Sequence, residues 1–202
     1  MEVEAETTEH IANKEYSDVL LIVTGGTFCM VQTPDGYVPA KGLANRLKAF
    51  KTFYDKEESE RLKVDKDTLV TPPSAYKTRI RFKVLEFDDL IDSSNIDLSL
   101  QTKIARVIEK HYKDYDGFVV CHGTDTMAYT ASTLSFMFEN LRKTIVITGS
   151  QIPISELRSD AVDNLLGSLM VAGPFMIPEV VIYFDNMILR GNRSTKESSN
   201  KI

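Results

Sequence analysis

Four short apolar runs constrain this chain more than anything else in it. Asp18–Val23, Phe118–Cys121, Thr144–Thr148 and Val180–Phe184 are each too short for a buried helix, and nearly continuous in apolar and β-branched residues. Such runs fit strands buried on both faces, the environment of a parallel sheet. Helical patterns separate them. Leu100, Ile104, Val107 and Ile108 share one stripe of a helix expected over Asp97–Tyr112, and Met127, Ala131, Leu134 and Phe138 share another. Val162, Leu165, Leu166, Leu169 and Met170 mark a third, from Asp160 to about Ala172. Arg79–Phe87 alternates and reads as a further strand nearer the sheet edge. Leu43 to about Tyr54 reads as a helix, while Phe28–Gly42 and Asp185–Lys196 read as loops. The alternation predicts an α/β fold in three layers, a mostly parallel sheet of five strands flanked by helices. One domain is expected over residues 18–196, after a polar tail at 1–17.

Charge narrows the function classes. A net charge of -5 gives no footing for nucleic acid or an anionic membrane as partner. No run approaches the ~20 apolar residues of a membrane helix, and the acidic N-terminus lacks a signal-peptide core. A cytoplasmic location is the expectation. Two cysteines, Cys29 and Cys121, make neither a disulfide framework nor a zinc site; they read as small buried hydrophobes.

In a parallel sheet the C-terminal ends of the strands share one edge, and ligands bind in the crevice beyond it. The residues delivered there are Thr24-Gly25-Gly26-Thr27, Asp92-Ser93-Ser94, Thr124-Asp125, Ser150-Gln151 and, further along, Lys196. Tyr37 stands alone as an aromatic in the loop after the first strand. The set combines hydroxyls, carboxylates, an amide and one lysine, which suits an activated hydroxyl nucleophile and a small zwitterion. It has no metal-ligand spacing and neither common phosphate loop. His122 is the one histidine at this edge and no nucleophile elbow accompanies it, against a Ser-His-Asp triad or a lipase. Taken singly, each feature also fits a structural role. Thr24–Thr27 would serve as a tight turn, Asp92–Ser94 and Thr124–Asp125 as helix caps, Tyr37 as loop packing and Lys196 as a solvated charge.

With those residues in hand the chain resembles the L-asparaginases, within them the cytosolic type I group and the asparaginase domain that some animal proteins carry ahead of ankyrin repeats. The motifs are Thr24-Gly25-Gly26-Thr27, His122-Gly123-Thr124-Asp125-Thr126, Gly149-Ser150-Gln151-Ile152-Pro153 with Leu157-Arg158-Ser159-Asp160, and Arg190-Gly191-Asn192-Arg193 with Lys196. The resemblance implies hydrolysis of L-asparagine to L-aspartate and ammonia, with L-glutamine as a side substrate and no cofactor or metal. It implies Thr27 as nucleophile and Tyr37 beside it moving its proton. Asp92, Ser93, Ser94 and Asp125 would hold the substrate's α-carboxylate and α-ammonium. Thr124, Asp125 and Lys196 would form a second catalytic triad. Full-length relatives are expected to be homo-oligomers.

The sequence departs from the family pattern in two places. The family's second, smaller α/β domain does not follow Lys196, so residues 197–202 read as a truncated linker. Ala161 follows Asp160 where the family usually has glycine. Two alternatives accompany the enzyme reading: a catalytically incomplete asparaginase-like binding or interaction domain, and an amidotransferase-type amidase subunit that works with a partner.

Overall fold

The computed structural model describes residues 14–91 and 97–198. Along them run β1 (Tyr16–Gly25), β2 (Met30–Thr33), β3 (Gly36–Pro39), α1 (Leu43–Leu47), α2 (Lys56–Leu62), β4 (Thr68–Val70), β5 (Arg79–Ile91) and α3 (Leu98–His111). Then come β6 (Gly117–Cys121), α4 (Met127–Met137), β7 (Ile145–Thr148), α5 (Ala161–Ala172), β8 (Val180–Phe184) and β9 (Met187–Arg190).

β1 is an interior strand, third in a sheet ordered β4-β5-β1-β6-β7-β8-β9. Its side chains alternate across that sheet with the period of two that a strand imposes. Val19, Leu21 and Val23 face one core with Leu47, Phe53 and Phe82 and with Leu165 and Leu169 of α5. Leu20 and Ile22 face the other, with Ile104 and Ile108 of α3 and Ala131 and Leu134 of α4. All five β1 side chains are 0–1 % exposed, and each such burial contributes about 1.5–3 kcal/mol. This two-sided burial is why the strand sequences are apolar throughout, and it gives the expected α/β architecture.

The five strands β5, β1, β6, β7 and β8 pair in parallel. Ranked by chain order among themselves they read 2-1-3-4-5, so the chain departs from β1 in both directions and creates a switch point between β1 and β6. β4 and β9 add antiparallel edges, two strands more than the sequence reading anticipated. β5 is correspondingly interior to β4, and it runs on through Ile91, past the Arg79–Phe87 strand that was expected. The predicted loop after β1 contains the antiparallel hairpin β2–β3. The predicted helix over Leu43–Tyr54 stops at Leu47 and continues as tight turns, Phe50 N–H to Leu47 O and Phe53 N–H to Phe50 O. Those turns keep Phe53 buried beside Phe82, ring edge to ring face.

Candidate active site

The register brings the strand ends level. Val23 of β1 lies opposite Cys121 of β6, and Cys121 opposite Thr148 of β7. The loops that follow then meet main chain to main chain. Gly26 has φ +75°, and a Cβ there would stand 2.6 Å from both N and Cα of Gly123. A Cβ on Gly149 would stand 2.3 Å from the His122 carbonyl oxygen. Only glycine permits both the left-handed backbone and the approach. Thr24 closes the seam from inside, its hydroxyl donating to Cys121 O at 3.0 Å. The sequence reading delivered Thr24 to the crevice edge without a role; its bond makes it a clamp between strands. Thr27 follows at the head of a 3-10 turn, Thr27–Cys29, half-buried above the fully buried Phe28 and Cys29.

Thr124, Asp125 and Lys196 come together across 71 and 72 residues of chain. Lys196 Nζ donates to Thr124 Oγ1 at 3.0 Å and to Asp125 Oδ1 at 2.8 Å. Lys196 is one-quarter exposed, so its charge sits mostly withdrawn from water against a carboxylate. An ammonium can only donate. Thr124 Oγ1 is therefore an acceptor toward Lys196, and its own O–H is directed elsewhere. The N-cap position of α4 falls on Thr126, the residue after Asp125. Beside the cluster lies a cavity of about 320 Å3, with apolar walls from Met127, Ile182 and Leu189 and polar ones from Thr124, Gln151 and Lys196.

His122 is fully buried and serves the loop from behind. Nδ1 stands 2.7 Å from Gly123 O and Nε2 stands 2.9 Å from Thr130 Oγ1. A carbonyl only accepts, so Nδ1 carries the proton and Nε2 accepts from the Thr130 hydroxyl. Gln101 of α3 in turn donates to Thr130 Oγ1 at 3.3 Å. Burial pushes the imidazole down to about 4, against a smaller opposite pull from the Gly123 carbonyl. A neutral ring thus ties Gly123, next to Thr124, to two helices.

The loop after β7 is held by Asp160. Its carboxylate accepts from Gln151 N at 2.9 Å and from Ile152 N at 3.0 Å, rather than capping its own helix. Ser150 is buried, and its hydroxyl has no hydrogen-bond partner among the described residues. Tyr37 sits on β3 opposite Gln32, about half exposed, and burial and the facing Glu156 carboxylate push its phenol up. The structure therefore sets Tyr37 toward Glu156, a residue to which the sequence reading gave no role. Asp92, Ser93 and Ser94 lie outside the described residues. Cys29 and Cys121 are free and buried; burial raises both thiols, Cys29 to about 11, which suits inert core packing.

Comparison with known proteins places this geometry. The family model described as "Asparaginase, N-terminal" matches residues 18–202. The chain is 49% identical over 178 residues to a 60 kDa lysophospholipase of Mus musculus, covering 88% of this chain and 32% of that protein. It is 43% identical over 179 residues to L-asparaginase 1 of Escherichia coli (strain K12), covering 88% of this chain and 47% of the relative. The crystal structure of L-asparaginase I from Vibrio cholerae superposes with a TM-score of 0.75 at 39% identity, over 91% of this chain and 49% of that one. The chain thus spans between a third and a half of the length of these relatives.

Proposed function

We propose, for a chain that belongs to the asparaginase family and carries its N-terminal domain, the hydrolysis of L-asparagine to L-aspartate and ammonia through a threonine-linked acyl-enzyme. Asparaginase-type amidohydrolase chemistry is what the family relationship supports. The observation that carries the finer reading is the Lys196–Thr124–Asp125 cluster at the switch point, on the loop that packs against the one bearing Thr27.

In this reading the Thr27 hydroxyl attacks the side-chain amide carbon. A C–O bond forms, the carbonyl electrons move to oxygen, and the threonine proton passes to a relay in which Tyr37 takes part. Backbone N–H groups of the glycine-rich loops meet the developing oxyanion. Collapse breaks the C–N bond, and the amide nitrogen takes a proton and leaves as ammonia. Water then attacks the ester carbon and the C–O bond to Thr27 breaks, returning the proton to the hydroxyl. Thr124, accepting from Lys196, points its own O–H at the attacking water. Asp125, with Asp92, Ser93 and Ser94, holds the α-ammonium and α-carboxylate. Glutamine is longer by one methylene, a difference of about 1–3 kcal/mol, so slower turnover of glutamine is expected.

The test is ammonia release from L-asparagine by the chain, beside Thr27→Ala and Thr124→Ala. Turnover that disappears in both variants supports the reading. Absence of turnover from a chain with native circular dichroism overturns it as a self-sufficient enzyme. Calorimetry with L-asparagine then separates turnover from binding without turnover.

A further inference from the structure

Asn164 lies in the middle of the apolar stripe of α5 and is 2 % exposed. A buried carboxamide must place two donors and an acceptor, and here all are placed. Nδ2 donates to Gly149 O at 3.0 Å and to Asp160 Oδ2 at 3.2 Å. Oδ1 accepts from Asp185 N at 3.0 Å. The partners fix the amide's orientation, because Gly149 O cannot donate and Asp185 N cannot accept. A flipped amide would set oxygen against oxygen and N–H against N–H.

Those partners belong to two segments that reach the site from different strands. Gly149 opens the loop after β7, and it packs against the His122 carbonyl with the Thr124 methyl 3.5 Å from where its Cβ would be. Asp185 opens the two-residue turn between β8 and β9, in which Asp185 and Asn186 both have positive φ. That turn sets where β9 begins, and β9 leads through Gly191–Arg193 to Lys196. One buried amide therefore references both sides of the Lys196–Thr124 hydrogen bond to the same helix.

We propose that Asn164 is a positioning residue that sets the approach of Lys196 to Thr124. The proposal rests on the reading of Thr124 and Lys196 as reaction machinery and adds the residue that holds them in register. Asn164→Asp keeps the acceptor for Asp185 N–H but loses the donors to Gly149 O and Asp160 Oδ2 and sets a second carboxylate against Asp160, so it disturbs the β7 loop while sparing the β8–β9 turn. Asn164→Ala releases both segments. Ser168→Ala is the control, since Ser168 is equally buried one turn later and its hydroxyl bonds only the Asn164 carbonyl of its own helix.

Two readouts are taken on variants with native circular dichroism. In asparagine hydrolysis, both Asn164 variants should lose about tenfold or more in kcat with KM changed far less, because misplacement of reacting groups acts on the chemical step. In competitive acetylation by acetic anhydride, Lys196 should react about threefold or more faster relative to Lys143, as its local contacts open. Ser168→Ala should match the parent in both. If the parent turns nothing over, the function proposed above fails by itself, and the acetylation ratio still decides the role of Asn164. Asn164 variants with the parent's Lys196 reactivity, or with losses no different from Ser168→Ala, overturn it.

Discussion

His122 should make this fold sensitive to mild acid. Burial pushes the ring's pKa down to about 4 in the native state, against about 6.5 for a solvated imidazole. Between those values the unfolded chain binds a proton that the native chain refuses. Stability is therefore complete above pH 6.5 and falls as pH drops through the window to 4. A gap of about 2.5 pH units at 1.36 kcal/mol each amounts to about 3 kcal/mol, of which about 2 are gone by pH 5. Against a domain stability of about 5–15 kcal/mol this is a large share. The assay is urea unfolding followed by circular dichroism, as the chain has no tryptophan, at pH 7, 5 and 4, on the parent and on His122→Asn. Parent and variant share every other residue, so the difference between them isolates His122. The parent should lose about 3 kcal/mol more than the variant between pH 7 and 4. Parallel losses, or an NMR titration showing His122 protonating near 6.5 in the folded parent, would refute the reasoning.

Other substitutions test separate parts of the structure. Lys196→Met should change urea stability by less than about 1 kcal/mol, since its partner Asp125 is 59% exposed. The same variant should lose about 10²-fold or more in ammonia release, consistent with a proton-transfer role. Gly26→Ala should cost about 3 kcal/mol or more in urea unfolding, because it strains a φ of +75° and drives Cβ into the Gly123 main chain. Gly167→Ala, in the middle of α5, would gain about 1 kcal/mol of helix propensity. Its Cβ, however, would lie 2.0–2.2 Å from the Tyr183 ring, so net destabilisation by about 1–2 kcal/mol is expected in thermal melts.

The strands that were legible in the sequence are those buried on both faces, because two-sided burial leaves an unbroken apolar run. β9 was not legible. It pairs on one edge only, all four of its residues are exposed, and Met187–Arg190 carries no alternation to betray it. β4 has three residues, too few for a period. The tight turns after α1 kept the 4-and-3 spacing of Leu43, Leu47 and Phe50 while abandoning the helix, so spacing alone could not find its end. At the site, Thr124, Asp125 and Lys196 were found through strand ends and motif resemblance. Asp160 was visible as part of a motif but without a role, and Asn164 was hidden for a different reason. A polar residue within an apolar stripe is a visible signal, but its meaning depends on which main-chain groups from other strands arrive beside it. Tyr37 was legible as a lone aromatic, and the facing Glu156 was not, since nothing local links a hairpin to a loop more than a hundred residues later.

The contact of Gly26 with Gly123 has a consequence for how such a site can change over time. Neighbouring strands of a sheet are spaced by about 4.8 Å, a repeat set by the backbone and indifferent to side chains. Loops that touch through bare main chain inherit that spacing directly, as tiles laid without grout inherit the dimensions of the tile. There is no side chain in the joint whose size could be trimmed or padded by a methyl group to nudge Thr27 relative to Thr124. Gradual adjustment of their separation is closed to single substitutions there. Diversification has to act on what is laid over the joint instead, through the hairpin, the β7 loop and the edge strand, while the joint itself is kept or lost whole.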